Sequence, residues 1–62
     1  MQYIIVVTSN ERRMWWNWAE HELVTDMEKA SRFDTLTHVN EQIEKVKERF
    51  PNYFVQRKTV WE

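Results

Sequence analysis

Apolar and polar positions change their rhythm several times along the chain. From Gln2 to Thr8 nearly every side chain is β-branched or aromatic, and both alternating sets, Tyr3, Ile5, Val7 and Ile4, Val6, Thr8, are largely apolar. A strand oily on both sides belongs inside a sheet. Ser9-Asn10-Glu11-Arg12 supplies a turn, with Asn10 the residue best suited to left-handed backbone in the absence of glycine. Arg13 to Ala19 then forms the second strand of a hairpin, with Met14, Trp16 and Trp18 on one face and Arg13, Trp15 and Asn17 on the other. For Glu20 to Val24 the periodicity leaves two readings open, an extension of that strand or the start of a connection.

The second half reads as helix and strand. Thr25-Asp26-Met27-Glu28 has the spacing of a capping box and predicts a short helical turn over Met27 to Ala30. Phe33 stands alone as an apolar anchor before Asp34 and Thr35, either of which can cap the next helix. Leu36, Val39, Ile43, Val46 and Phe50 recur every three or four residues, the stripe of an amphipathic helix. Pro51 ends it, and Tyr53 to Trp61 has the β-branched and aromatic content of a last strand.

Chain direction assembles these pieces. A helix that crosses the sheet after the second strand delivers the last strand antiparallel to the first, so the expected fold is a single α+β domain over residues 1 to 62. Its sheet is three-stranded and antiparallel (β-β-α-β, order 2-1-3), with one long helix on one face and a short helical turn before it. One helix shields one face; the other then keeps either Ile4 and Val6 or Ile5 and Val7, with some tryptophans, towards water. An apolar patch of that kind usually marks a binding surface.

Composition narrows the chemistry. The 62 residues include no cysteine and no glycine, which removes disulfides, thiol catalysis and Cys-based zinc sites, and also the phosphate loops, dinucleotide fingerprints and nucleophile elbows that need glycine. No cofactor or metal is expected. A net charge of -1 fits neither a generic polyanion binder nor an acidic nucleic-acid mimic. No apolar run approaches the roughly 20 residues that cross a bilayer, so the expectation is a soluble, cytoplasmic chain with no membrane partner. His21 between Glu20 and Glu22 has no ligand spacing, and His38, in the first helical turn, is expected to pack as a neutral ring. Ser9 and Ser31 have no activating neighbours, so the chain is not expected to be an enzyme.

The order of a short aromatic hairpin, then Thr25-x4-Ala30-x2-Phe33-Asp34-Thr35, then an amphipathic helix and a final strand resembles small accessory domains encoded by phages and prophages. The resemblance spans about Tyr3 to Val60. It implies a connection anchored by Ala30 and Phe33, a helix capped near Thr35, and a viral accessory protein that binds and modulates or inhibits a host or viral protein.

Aromatic residues make up 15% of the chain, more than one helix on a small sheet readily hides. With Met14, Trp16 and Trp18 beneath the helix, Trp15 is left outside beside Arg13; the reversed register exposes Trp16 and Trp18 instead. The expected protein-binding residues are therefore Arg13, Trp15, Trp16, Trp18 and Trp61, since large aromatics and arginine dominate interface energetics. Self-association of the bare face into a homodimer is a related use. The alternative is a single-stranded nucleic-acid track of Trp15, Arg57, Lys58 and Trp61, which the near-neutral charge disfavours.

Overall fold

The computed structural model of the chain describes residues 1–60. Strand β1 (Gln2–Ser9) and strand β2 (Arg12–Asn17) form a hairpin; β3 (Glu22–Val24), a 3-10 turn (Met27–Lys29), helix α1 (Leu36–Arg49) and strand β4 (Phe54–Val60) follow. The fold is α+β, and the antiparallel sheet has four strands in the order β3-β2-β1-β4, not three. The expected neighbours β2, β1 and β4 are adjacent as argued from chain direction; the added strand comes from the segment whose periodicity was ambiguous.

That fourth strand exists because β2 is shorter than the expected Arg13 to Ala19. Asn17 closes it: its Oδ1 accepts from the Glu20 N–H at 2.9 Å, and the His21 N–H donates to the Trp18 carbonyl at 3.3 Å. His21 takes a φ of 54°, and the chain returns with Leu23 opposite Trp16 and Val24 opposite Trp15. The β1–β2 hairpin turns in two residues, Asn10 at φ 48° and Glu11 at φ 67°, with Ser9 paired to Arg12. Positive φ at both central positions is the primed turn whose twist matches the strands it joins.

Helix α1 starts at Thr35, whose Oγ1 accepts from the His38 N–H at 3.2 Å. Asp34, the other capping option, instead receives the Gln2 side-chain amide at 2.9 Å. The helix buries Val39, Gln42, Ile43 and Val46. Leu36 of the expected stripe is exposed, and Phe33 occupies the core at that end with the His38 ring edge-on at 4.9 Å. The 3-10 turn is capped by Asp26, whose carboxylate accepts from the Glu28 N–H, one residue later than the capping box predicts. After Pro51 the rings of Phe50 and Tyr53 stack at 5.4 Å, and the Tyr53 N–H returns to the Phe50 carbonyl.

The side of the sheet under the helix holds the main core: Ile5, Val7, Trp16, Phe33, Val39, Ile43 and Val46, with Leu23 and Val55 at its margin. Burying each aliphatic side chain stabilises by about 1.5–3 kcal/mol, and β1 contributes to both sides. On the far side Ile4 and Val6 are only 3% and 6% exposed, which corrects the expectation that one such pair faces water. Ala30, Trp15 and Val60 close over them.

Ala30 reaches that side because the chain crosses the sheet. β1 pairs with β2 only from Val6↔Trp15 to Ser9↔Arg12. Beyond Val6 the two strands part, and Phe33 takes the place beside Tyr3, donating to its carbonyl at 2.8 Å and accepting from its N–H at 2.9 Å. Ser31 donates to the Trp16 carbonyl on the other flank at 3.1 Å. Residues 30–33 thus fill the wedge between the strands, with Ala30 packed on one side of the sheet and Phe33 on the other.

Candidate functional site

Register and pleat assign every strand residue to a side. Val6 is opposite Trp15 and Gln56, Thr8 is opposite Arg13 and Phe54, and Ile4 is opposite Lys58, so these residues share the side away from α1. Trp15 is half-buried across Val6, Arg13 and Lys58 are exposed, and Phe54 is 62% exposed at the margin. Most of the Phe54 side chain is open to solvent although it stands in a regular strand. The side therefore presents two aromatics, a small buried aliphatic centre and two cations.

The five expected protein-binding residues are not brought together. Arg13 and Trp15 lie on the open side. Trp16 is core and not a surface anchor: it is 3% exposed, edge-on to Phe50 and His21 at 6.4 Å each, and under the Arg49 guanidinium at 5.8 Å. Its indole N–H has no hydrogen-bond acceptor among the described residues. Trp18 is 46% exposed and not part of the core beneath the helix, because β2 has already ended at Asn17. Its backbone N–H donates to Ser31 Oγ at 2.7 Å, and its ring stands edge-on to His38 at 5.7 Å. Trp61 lies outside the described residues.

The expected nucleic-acid track is also divided. Arg57 is opposite Ile5 and so lies on the helix side, where its guanidinium is over the Tyr3 ring at 5.8 Å and donates to Asn40 Oδ1 at 3.2 Å. Trp15 and Lys58 are on the other side, two strands apart. Phe54, by contrast, is not among the expected binding residues. It could have been found by continuing the alternation of the last strand once Val55 is taken as core, since Phe54, Gln56 and Lys58 must then share the opposite side.

An open cleft of about 430 Å3 lies at the start of α1, lined by Trp18, residues 31–35 and His38. Serine, histidine and aspartate meet in it, yet no hydrogen bond joins them among the described residues. Ser31 Oγ is occupied by Trp18, the Asp34 carboxylate by Gln2, and the His38 ring lies between two aromatic edges. Each of the three side chains thus has its contact outside the trio. Among the described residues no three His, Asp or Glu side chains converge as metal ligands, and no helix is long and apolar enough to cross a membrane.

No protein-family model matches the chain, and neither a curated protein nor a solved structure shows significant similarity to it.

Proposed function

We propose that the chain is a non-enzymatic protein-binding module that docks through the side of its sheet away from α1, with Trp15 and Phe54 as apolar anchors and Arg13 and Lys58 as flanking cations. The observation that carries this reading is Phe54, 62% exposed in a regular strand and sharing its side with Trp15 and Arg13. Rigid aromatics and arginine bury much area for little lost freedom on binding. The modulation or inhibition of a host protein that the phage-type resemblance implies would be exercised through this face. A nucleic-acid track has less support, because Arg57 is engaged on the helix side.

Affinity capture with the tagged chain tests the proposal when run as a set. A protein retained by the wild type and by Trp18→Ala, but lost by Phe54→Ser at an unchanged thermal midpoint, supports it. Retention of the same proteins by wild type and Phe54→Ser, or release that follows Trp18 instead, overturns it.

A further inference from the structure

The open side of the sheet ends at β4, and that edge carries information about the partner. β4 pairs with β1 without interruption from Thr8↔Phe54 to Gln2↔Val60, and among the described residues no strand lies beyond it. Among the described residues no hydrogen bond from any other segment reaches its backbone. The opposite edge, β3, has only three residues. β4 has seven and contains no proline, so neither shortness nor a proline blunts this edge.

Those charges have one sign. β4 carries Arg57 and Lys58 and no acid, in a chain whose net charge is -1; Arg57 is held by Asn40 and Tyr3 on the helix side, and Lys58 is exposed on the open side. From this we infer that β4 takes an extended, acidic segment of the protein partner as a fifth, antiparallel strand. The inference rests on the protein-binding reading and adds the chemistry of the partner. Backbone pairing along a free edge supplies affinity, and alternate side chains supply selectivity. A carboxylate across from Lys58 is a favourable cross-strand neighbour, while Phe54 and the half-buried Val60 at the two ends offer apolar contacts on the same open side. A second copy of the chain fits less well: antiparallel self-pairing about the middle of β4 sets Arg57 against Arg57 and Gln56 beside Lys58.

The test uses the full, isotope-labelled chain and a capped peptide of alternating valine and glutamate, with a valine-lysine peptide as control. The expected result is slowed amide exchange at alternate β4 residues with the acidic peptide, and binding weakened roughly tenfold by Lys58→Glu as an exposed attraction becomes a repulsion. Lys58→Gln should fall between, and both variants should keep the wild-type thermal midpoint. Equal binding of the acidic and basic peptides, or no change in β4 exchange with either, overturns the inference. If the peptide shifts Arg13 and Trp15 amides while β4 exchange stays the same, strand addition fails and the docking face survives. A concentration-dependent dimer that protects β4 without peptide assigns the edge to a second copy and likewise overturns it.

Discussion

Replacing Glu11 by glycine should make this protein more stable. Glu11 sits at φ 67° in the two-residue turn between β1 and β2, a left-handed conformation that costs an L-residue with an ordinary side chain roughly 1–2 kcal/mol. Glycine removes that cost and brings an entropic one of about 0.5–1 kcal/mol through its freer unfolded chain. The difference favours Glu11→Gly by about 0.5–1 kcal/mol. For a domain of this size 1 kcal/mol moves the midpoint by roughly 4–8 °C, so thermal unfolding followed by circular dichroism should show a rise of about 2–8 °C. Asn10→Gly is the internal control: its φ is 48°, but asparagine tolerates that region, and its gain should be smaller. His21→Gly is a second, because relief of its φ of 54° is offset by loss of the ring edge against Trp16. An unchanged or lowered midpoint for Glu11→Gly would mean that the turn is not the primed type or that the Glu11 side chain is held by contacts worth more than the strain.

Other substitutions probe separate parts of the argument. Ile43→Ala, in the buried stripe of α1, should cost about 2–5 kcal/mol in urea unfolding; a silent change would remove the helix from the core. Thr35→Ala leaves the His38 N–H without its cap and should cost about 1 kcal/mol by the same assay. Arg49 lies over both the Trp16 and Phe50 rings and donates to the His21 carbonyl, so Arg49→Ala should lose about 1–2 kcal/mol, with Arg49→Lys recovering only part because an ammonium has no planar fork. Phe54→Ser should change folding stability by no more than about 0.5 kcal/mol, and a larger loss would show that the ring belongs to the fold rather than to a partner.

Where a periodicity is strong and its partner unique, sequence reasoning reached the structure. The two oily sides of β1 placed it centrally, the stripe through Val39, Ile43 and Val46 marked α1, and Pro51 marked its end. Three features escaped because their causes are not periodic. The β2–β3 reversal depends on the Asn17 side chain and on His21 accepting positive φ, and the apolar Trp18 and Ala19 that follow Asn17 continue the pattern of a strand. The cover over Ile4 and Val6 depends on where the connection through Ala30 runs, a choice made by packing between segments distant in sequence. Trp16 and Trp18 are equivalent in alternation, and only the end of β2 at Asn17 separates the buried ring from the exposed one. The open-side pair of Arg13 and Trp15 was legible from alternation alone; Phe54 needed the register of β4 as well.

The passage of residues 30–33 through the sheet also bears on how the molecule can come apart. Phe33 is embedded in the core under α1 while Ala30 seals Ile4 and Val6 on the far side, and the peptide links between them are bonded to Tyr3 and Trp16. Withdrawing this short stitch opens both layers at once. Exchange of the Tyr3 and Phe33 amides should then report the global unfolding event rather than a local breath, and a half-dissolved species that keeps one layer intact has no strut left to stand on.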